Sequence, residues 1–160
     1  MVDAPSSLAP DHAGVHVPPP LIYAAGFGLG LLLQWSLSAP PIPLLGGRVA
    51  ATLCVILWLV LFVPSISLFR RAHTHIVPSR PTTRLILCGP YRFTRNPMYV
   101  SLISLYVGLT LWFDALWPLA LLPLVILTVR YGVIAREERY LERKFGRDYL
   151  LYKTRVRRWI

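Results

Sequence analysis

The sequence predicts an all-α, polytopic integral membrane protein with about four transmembrane helices and an amphipathic cytoplasmic helix near its C-terminus. Of the 160 residues, 55% are apolar, which is a high share for a soluble domain of this size. The formal net charge is +10, and sixteen of the seventeen Lys and Arg residues lie at position 70 or later, where they flank apolar segments. This distribution is typical of cytoplasmic loops in membrane proteins. We expect no nucleic-acid partner, because the sequence has no base-reading motif and no platform of aromatic and basic residues.

The first half of the chain predicts a tail followed by two helices. Residues 1–20 contain no Lys or Arg and are rich in Pro, Ser and Ala, so we expect a disordered tail rather than a secretory signal peptide. The apolar segments 21–38 and 49–69 are each long enough to cross a hydrocarbon core of about 30 Å. Gln34 is the only strongly polar residue of the first segment, and Pro64 is expected to kink the second helix rather than end it.

The apolar segments 97–112 and 115–135 predict a helical hairpin. Phe113 and Asp114 form a short connection between them, and Trp112 and Trp117 suit a membrane interface. Arg130 lies near the end of the fourth segment, where it could extend towards the interface or face inward.

The charges of the loops predict the orientation. The loop 70–96 and the region beyond residue 135 are basic, whereas the other connections hold only Arg48 and Asp114. The positive-inside rule therefore places both termini and the loop 70–96 in the cytoplasm. The predominance of Arg over Lys favours a bacterial source and hence an inner-membrane location.

The loop 70–96 ends in a motif that is unusual for a simple connector. Gly89 and Pro90 mark a turn, Asn96 is the expected N-cap of the third helix, and Pro97 suits its first turn. A helix N-terminus favours anionic groups, so the loop could hold a ligand. Alternatively, its arginines contact lipid phosphates.

The segment 136–146 predicts an amphipathic helix with carboxylates near its packed face. Ile134, Leu141 and Phe145 share that face, Glu138 lies on it, and Glu137 lies at its edge, with Gly146 as the expected helix stop. These carboxylates could pair with the loop arginines and fasten the tail, or could bind a cationic or hydroxyl-bearing ligand. The basic residues 155–160 could likewise close over a site or anchor at the lipid surface.

Together the two segments resemble the isoprenylcysteine carboxyl methyltransferase and phospholipid methyltransferase family. The resemblance covers about residues 83–158. It rests on Gly-Pro-Tyr-Arg at 89–92, on Arg-Asn-Pro-Met-Tyr at 95–99, and on the later positions Glu137, Glu138, Leu141, Phe145, Gly146, Tyr149, Tyr152, Val156 and Arg158. It implies a membrane enzyme that binds S-adenosylmethionine between the loop and the C-terminal helix, and whose lipophilic or lipid-attached acceptor arrives sideways from the bilayer. The cofactor-binding residues that it implies are Thr83, Arg84, Leu85, Ile86, Tyr91, Asn96, Pro97, Met98, Tyr99, Glu137 and Glu138.

Two positions depart from the family pattern. Asn96 stands where members of the family have His, and it cannot titrate. Val133 stands where the carboxyl methyltransferases have an Arg that orients the substrate carboxylate. Arg130, one turn earlier, and Arg95 are therefore the candidate catalytic residues, and the acceptor stays open between O-, N- and S-methylation.

Two other functions stay open beside methyl transfer. The fold could serve as a non-catalytic lipid-binding or assembly protein, or as a membrane reductase that uses a nicotinamide cofactor. We expect no metal site, because His73 and His75 supply only two ligands and no carboxylate or cysteine cluster completes the set.

Overall fold

The computed structural model describes residues 13–15, 17–37, 47–74 and 82–159. Within these ranges the regular structure is entirely helical, which confirms the all-α class. The helices are α1 (Pro19–Ser36), α2 (Gly47–Arg71), α3 (Pro97–Trp112), α4 (Leu116–Val129) and α5 (Ala135–Arg155), with a 3₁₀ turn at Gly89–Arg92 and a π-helical turn at Arg130–Ile134.

Two helical runs in the described residues are long and apolar enough to cross a membrane. They are Gly47–Arg71 and the continuous run Leu116–Arg155, which joins α4 to α5 through the π-helical turn. Helix α3 is apolar but shorter, and α1 has 18 residues that include Pro19, Pro20 and Gln34. The outer surface of α2 exposes large apolar side chains, as expected for a helix that faces lipid. They include Leu53, Ile56, Val60 and Val63.

Small residues bring α2 and α3 into close contact. A Cβ atom at Gly108 on α3 would lie 3.1 Å from both the Ala51 carbonyl oxygen and the Cys54 Cβ on α2. One turn away, the Ser104 hydroxyl donates a hydrogen bond of 2.8 Å to the Cys54 carbonyl oxygen. Small residues four positions apart, with a hydroxyl bond across the interface, are typical of helix pairs packed in membranes.

The same device joins α1 to α4. A Cβ atom at Gly30 would lie 2.5 Å from the Pro118 Cα, and one at Gly26 would lie 2.4 Å from a Val125 methyl group. Gln34, the polar residue of the first segment, accepts hydrogen bonds from the backbone N–H groups of Leu116 and Trp117, at 3.0 and 3.3 Å. Its side chain thereby satisfies two of the free donors at the start of α4.

The observed boundaries follow the predicted ones with local differences. Helix α2 runs through Pro64 without ending, and α3 begins and ends where the apolar run does. The predicted helix stop at Gly146 is confirmed. The residue leaves helical geometry with a positive φ of 49°, and a second helical segment continues beyond this kink to Arg155.

The N-terminal tail partly contributes to the packing. Helix α1 begins at Pro19 and so includes the last two residues of the predicted tail, and Val15 is buried in the main apolar core. The Gly14 carbonyl oxygen accepts a hydrogen bond of 3.1 Å from the Arg136 side chain. Residues 1–12 of that predicted tail lie outside the described residues.

The directions of the helices place the polar and charged residues of the candidate site at one end of the bundle. Helix α1 begins there, α2 ends there, α3 begins there and α4 passes into α5 there. Residues from each of these ends line a common cavity. The core that supports it contains apolar side chains of the N-terminal segment and of α1, α3, α4 and the π-helical turn, including Tyr23, Tyr106, Leu122, Val129, Val133 and Ile134.

Candidate functional site

A cavity of about 270 Å³ lies where the loop 82–96 meets the helix ends. One part of its wall is polar and the other is apolar and aromatic. The polar and charged lining residues are Thr82, Arg84, Arg95, Asn96, Glu137 and Glu138, and the tyrosines are Tyr91, Tyr99, Tyr140, Tyr149 and Tyr152. The remaining lining residues are Ala13, Pro18, Pro19, Pro20, Phe62, Phe69, Leu85, Ile86, Met98, Leu102 and Leu141. A cavity of this character is suited to an amphiphilic ligand.

Glu137, in the first turn of α5, carries the first carboxylate of the cavity. The Tyr99 hydroxyl donates a hydrogen bond of 2.7 Å to its Oε2. Burial raises the pKa of Glu137 to about 7, although the bond from Tyr99 lowers it and the neighbouring Glu138 raises it further. The side chain therefore titrates near neutral pH, where a bound cation would favour its ionised form.

Glu138 carries the second carboxylate, and two arginines approach it. Arg158 donates to both of its oxygens, from Nε to Oε1 at 3.0 Å and from Nη2 to Oε2 at 2.7 Å. The Arg95 Nη1 lies 3.4 Å from Oε1, which is an ion-pair distance. Only 8% of the Glu138 side chain is exposed, and such a buried carboxylate requires these partners.

The loop and the C-terminal segment pair through their backbones. The Arg95 N–H donates to the Arg157 carbonyl oxygen at 2.9 Å. The Thr94 hydroxyl and the Asn96 side-chain amide both donate to the Arg158 carbonyl oxygen, each at 3.0 Å. Residues 156–158 therefore contact the site, as one of the two alternatives predicted.

Asn96 occupies the N-cap position of α3 without capping it through its side chain. The predicted N-cap position is confirmed, and the side-chain Nδ2 group donates to the Arg158 carbonyl oxygen. The Asn96 N–H donates to the Thr94 hydroxyl oxygen at 3.1 Å. The position links the loop to the C-terminal segment.

Several aromatic residues of the cavity were not among the predicted site residues. The Tyr152 hydroxyl donates to the Tyr91 carbonyl oxygen at 2.7 Å, and the ring of Tyr91 packs edge-on against Phe69 at 5.9 Å. Tyr140 accepts a hydrogen bond from the Thr82 N–H at 3.0 Å. Tyr149 and Tyr152 stood in the recognised motif, which was the available signal, whereas Phe62, Phe69 and Leu102 are indistinguishable in sequence from other apolar helix residues.

Most of the predicted site residues line this one cavity. Those that do are Arg84, Leu85, Ile86, Tyr91, Arg95, Asn96, Met98, Tyr99, Glu137 and Glu138. Thr83 is exposed and donates its N–H to the Thr74 hydroxyl oxygen at 2.9 Å, and Pro97 is buried beside the cavity without lining it.

Arg130 lies away from the cavity lining. Its guanidinium lies 5.2 Å from the centre of the exposed Tyr131 ring, which is a cation–π contact. Val133 is buried in the core with 2% exposure. This placement gives no support to Arg130 as a replacement for the missing arginine at position 133.

The described residues contain no group of three or more His, Cys, Asp or Glu side chains that could hold a metal ion. His73 is exposed after the end of α2, and its predicted companion His75 lies outside the described ranges.

Comparison with known proteins finds a family match that spans most of the residues of this site. A family model described as phospholipid methyltransferase matches residues 47–148, which is more than half of the chain and includes Tyr99, Glu137 and Glu138. An uncharacterised protein of Haemophilus influenzae is 43% identical over 63 residues, or 39% of this chain and 100% of that relative. No solved structure matches the chain.

Proposed function

This chain belongs to the phospholipid methyltransferase family, and on that premise we propose that it transfers a methyl group from S-adenosylmethionine to a lipophilic or lipid-attached acceptor. Methyl transfer in a membrane is what the family description and the apolar helices support directly. The cofactor and the class of acceptor are our inference from the cavity. The observation that carries it is that one cavity is lined both by a pair of carboxylates and by apolar side chains of α1, α2 and α3.

The proposed topology has four membrane crossings, formed by α1, α2, α3 and residues 116–134. It is supported by the alternating directions of these helices and by their apolar exteriors. Beyond Ile134 the chain is strongly charged and cannot remain in hydrocarbon. The positive-inside rule then places the cavity on the cytoplasmic side, where S-adenosylmethionine is available in a bacterial cell.

The chain's own groups fit the cofactor. S-adenosylmethionine supplies an electrophilic methyl group on a sulfonium and also carries an ammonium, a carboxylate and ribose hydroxyls. The carboxylate of Glu137 is able to accept from an ammonium or a hydroxyl once it is ionised. Tyr91 and Tyr149 also line the cavity, and aromatic rings are of the kind that attract an organic cation. Residues 84–86 are the proposed contacts for the remaining parts of the cofactor.

The reaction depends chiefly on position. Transfer requires donor and acceptor atoms to be held about 3–3.5 Å apart on one axis, and a rigid cavity supplies that constraint. Tyr99 fixes Glu137 through its hydroxyl, and Arg158 fixes Glu138 through both oxygens. These contacts fix the positions of both carboxylates, and Glu137 lines the cavity.

The apolar wall is the proposed path of the acceptor. Phe62 and Phe69 of α2, Pro19 and Pro20 of α1, and Leu102 of α3 line the side of the cavity nearest the bundle. A hydrocarbon chain could lie among these side chains while its polar end reaches the carboxylate region. The apolar side chain of Val133 leaves that position without a guanidinium for an acceptor carboxylate.

The decisive experiment measures binding of S-adenosylmethionine to the purified full chain in detergent. Wild type should bind saturably, and Glu137→Gln should weaken binding by about tenfold, because a charge-assisted hydrogen bond is lost. Glu142→Gln is the matched control, since Glu142 lies on the same helix and pairs with Lys153 outside the cavity. Absence of saturable binding by the wild type would overturn the proposed cofactor.

A methyl-transfer assay with radiolabelled S-adenosylmethionine and extracted bacterial lipids then tests the acceptor. Label should enter the organic phase with wild type and not with Glu137→Gln. Label that enters only water-soluble products would contradict the lipophilic acceptor while leaving the cofactor proposal intact.

A further inference from the structure

Arg95 is a buried cation that lines the cavity without full hydrogen bonding. Its side chain is only 10% exposed. Its Nε and Nη1 atoms are buried, and neither has a hydrogen-bond acceptor within the described residues. A buried guanidinium left without acceptors is costly, since the hydrogen bonds it made to water are not replaced.

The nearest carboxylate does not neutralise it. Glu138 lies 3.4 Å from the Arg95 Nη1, but both of its oxygens already accept hydrogen bonds from Arg158. Two guanidinium groups therefore share one carboxylate. The other carboxylate of the cavity, Glu137, is bound by Tyr99 and titrates near neutral pH.

Other groups around Arg95 do not change this balance. Burial raises the pKa values of Tyr149 and Tyr152 while Arg95 lowers both, and the Tyr149 hydroxyl also makes a side-chain hydrogen bond with Arg95. Phenols in that state are neutral. The start of α3 at Pro97 contributes further partial positive charge on the same side.

We propose that Arg95 forms an anion-binding subsite of the cavity, which takes a carboxylate or phosphate group of a bound ligand. The inference rests on the proposed function, because it assigns one end of the ligand that the cavity would hold. Two sources share this chemistry: the carboxylate of the cofactor's amino-acid part, and the acidic headgroup of a lipid acceptor. In either case the anion accepts from Nε, the buried donor that has no acceptor among the described residues, whereas Nη1 faces Glu138 at 3.4 Å.

The test compares three probes on the full chain in a neutral detergent. S-adenosylhomocysteine carries the carboxylate, 5′-methylthioadenosine lacks the amino-acid part, and short-chain phosphatidic acid carries only the lipid phosphate. Each is titrated against wild type, Arg95→Gln and Arg95→Lys. Arg92→Gln is the matched control, because Arg92 lies three residues away in the same loop but is exposed outside the cavity.

If the anion belongs to the cofactor, Arg95→Gln should lower the affinity for S-adenosylhomocysteine about tenfold or more. The affinity for 5′-methylthioadenosine should then change less than about twofold. If the anion belongs to the lipid acceptor, Arg95→Gln should lower the affinity for phosphatidic acid by that factor and leave the affinity for S-adenosylhomocysteine unchanged. In each case Arg95→Lys should recover part of the affinity, which separates a charge effect from a folding defect. Thermal unfolding of every variant is recorded in the same detergent.

Two results would overturn the subsite: affinities for all three probes that stay within about twofold in Arg95→Gln, or an equal loss in Arg92→Gln. If wild type binds neither nucleoside, the proposed function fails. The phosphatidic acid titration then still decides the subsite, since its phosphate tests the same Arg95 donor.

Discussion

Arg158 donates hydrogen bonds to both carboxylate oxygens of Glu138, although the two residues are 20 positions apart and separated by the kink at Gly146. This bond draws the segment 156–158 back over the first turn of α5. It also determines the electrostatics of the cavity, because a Glu138 held by Arg158 cannot fully neutralise Arg95.

Replacing Arg158 by Gln should destabilise the protein by about 1–2 kcal/mol, a value reduced from that of a buried pair because a third of the Arg158 side chain is exposed. Thermal unfolding in detergent measures the change. The exposed neighbour Arg157, changed to Gln, is the control and should behave like wild type. In Arg158→Gln the Glu138 carboxylate loses this partner and should pair more closely with Arg95. The affinity of the cavity for anions should therefore fall as well. Unchanged stability and unchanged anion affinity would contradict the assigned bond.

Affinity for S-adenosylmethionine should rise with pH across about 6–8, because Glu137 has a pKa raised to about 7 and binds a cation only when ionised. Stability of the unliganded protein should change in the opposite direction. A carboxyl whose folded pKa is above its usual value contributes stability at low pH that is lost as the pH rises through about 7. Titration calorimetry and thermal unfolding, each from pH 5 to 8.5, measure the two trends.

The ligand's own amino group also titrates near this range. The variant Glu137→Gln separates these two titrations. The ligand's amino group still titrates in this variant, whereas the carboxyl group at position 137 is gone. A pH profile that is the same in wild type and Glu137→Gln would show that Glu137 does not control binding.

Tyr99→Phe should move the midpoint of that pH profile upward. The phenol donates to the ionised carboxylate, and its loss removes the interaction that lowers the pKa of Glu137. Tyr23→Phe is the control, because the Tyr23 hydroxyl is buried without a hydrogen-bond partner in the described part of the chain and does not line the cavity. A midpoint that shifts equally in both variants would argue for a general effect on packing.

Gly30→Ala should destabilise the bundle by about 1–3 kcal/mol, because the added methyl group would meet the Pro118 backbone at 2.5 Å, where a flexible side chain cannot move aside. Gly28→Ala is a close control on the same helix, since nothing lies within 4 Å of its added Cβ. Unfolding of both variants in a detergent series provides the comparison. Equal stability of the two variants would show that α1 and α4 do not approach closely in the membrane.

The sequence predicted those parts of the structure that depend on local composition. The apolar runs gave the helices to within a few residues, since hydropathy is a property of neighbouring residues. The packed face at the start of α5 was predicted in part, since Ile134 and Glu138 are buried whereas Leu141 and Phe145 are half-buried. Residues on one helix keep a fixed angular relation whatever the tertiary fold.

The rest depends on contacts between distant parts of the chain. Asn96 has the position and chemistry of an N-cap, but a carbonyl oxygen 62 residues later competes for its amide. No local pattern records that competition. The apolar wall at Phe62 and Phe69 was missed for a related reason, because apolar residues that face lipid and those that face a cavity have the same composition.

The pairing of residues 94–96 with 157–158 imposes an order on biogenesis. At about 5–20 residues per second, synthesis reaches Arg158 about 3–12 s after Asn96. Throughout that interval the loop lacks the carbonyl oxygens that its donors require, and α5 emerges with Glu138 not yet bound by Arg158. The helices can insert early, but ligand binding by the nascent protein has to await the synthesis of residues 157 and 158.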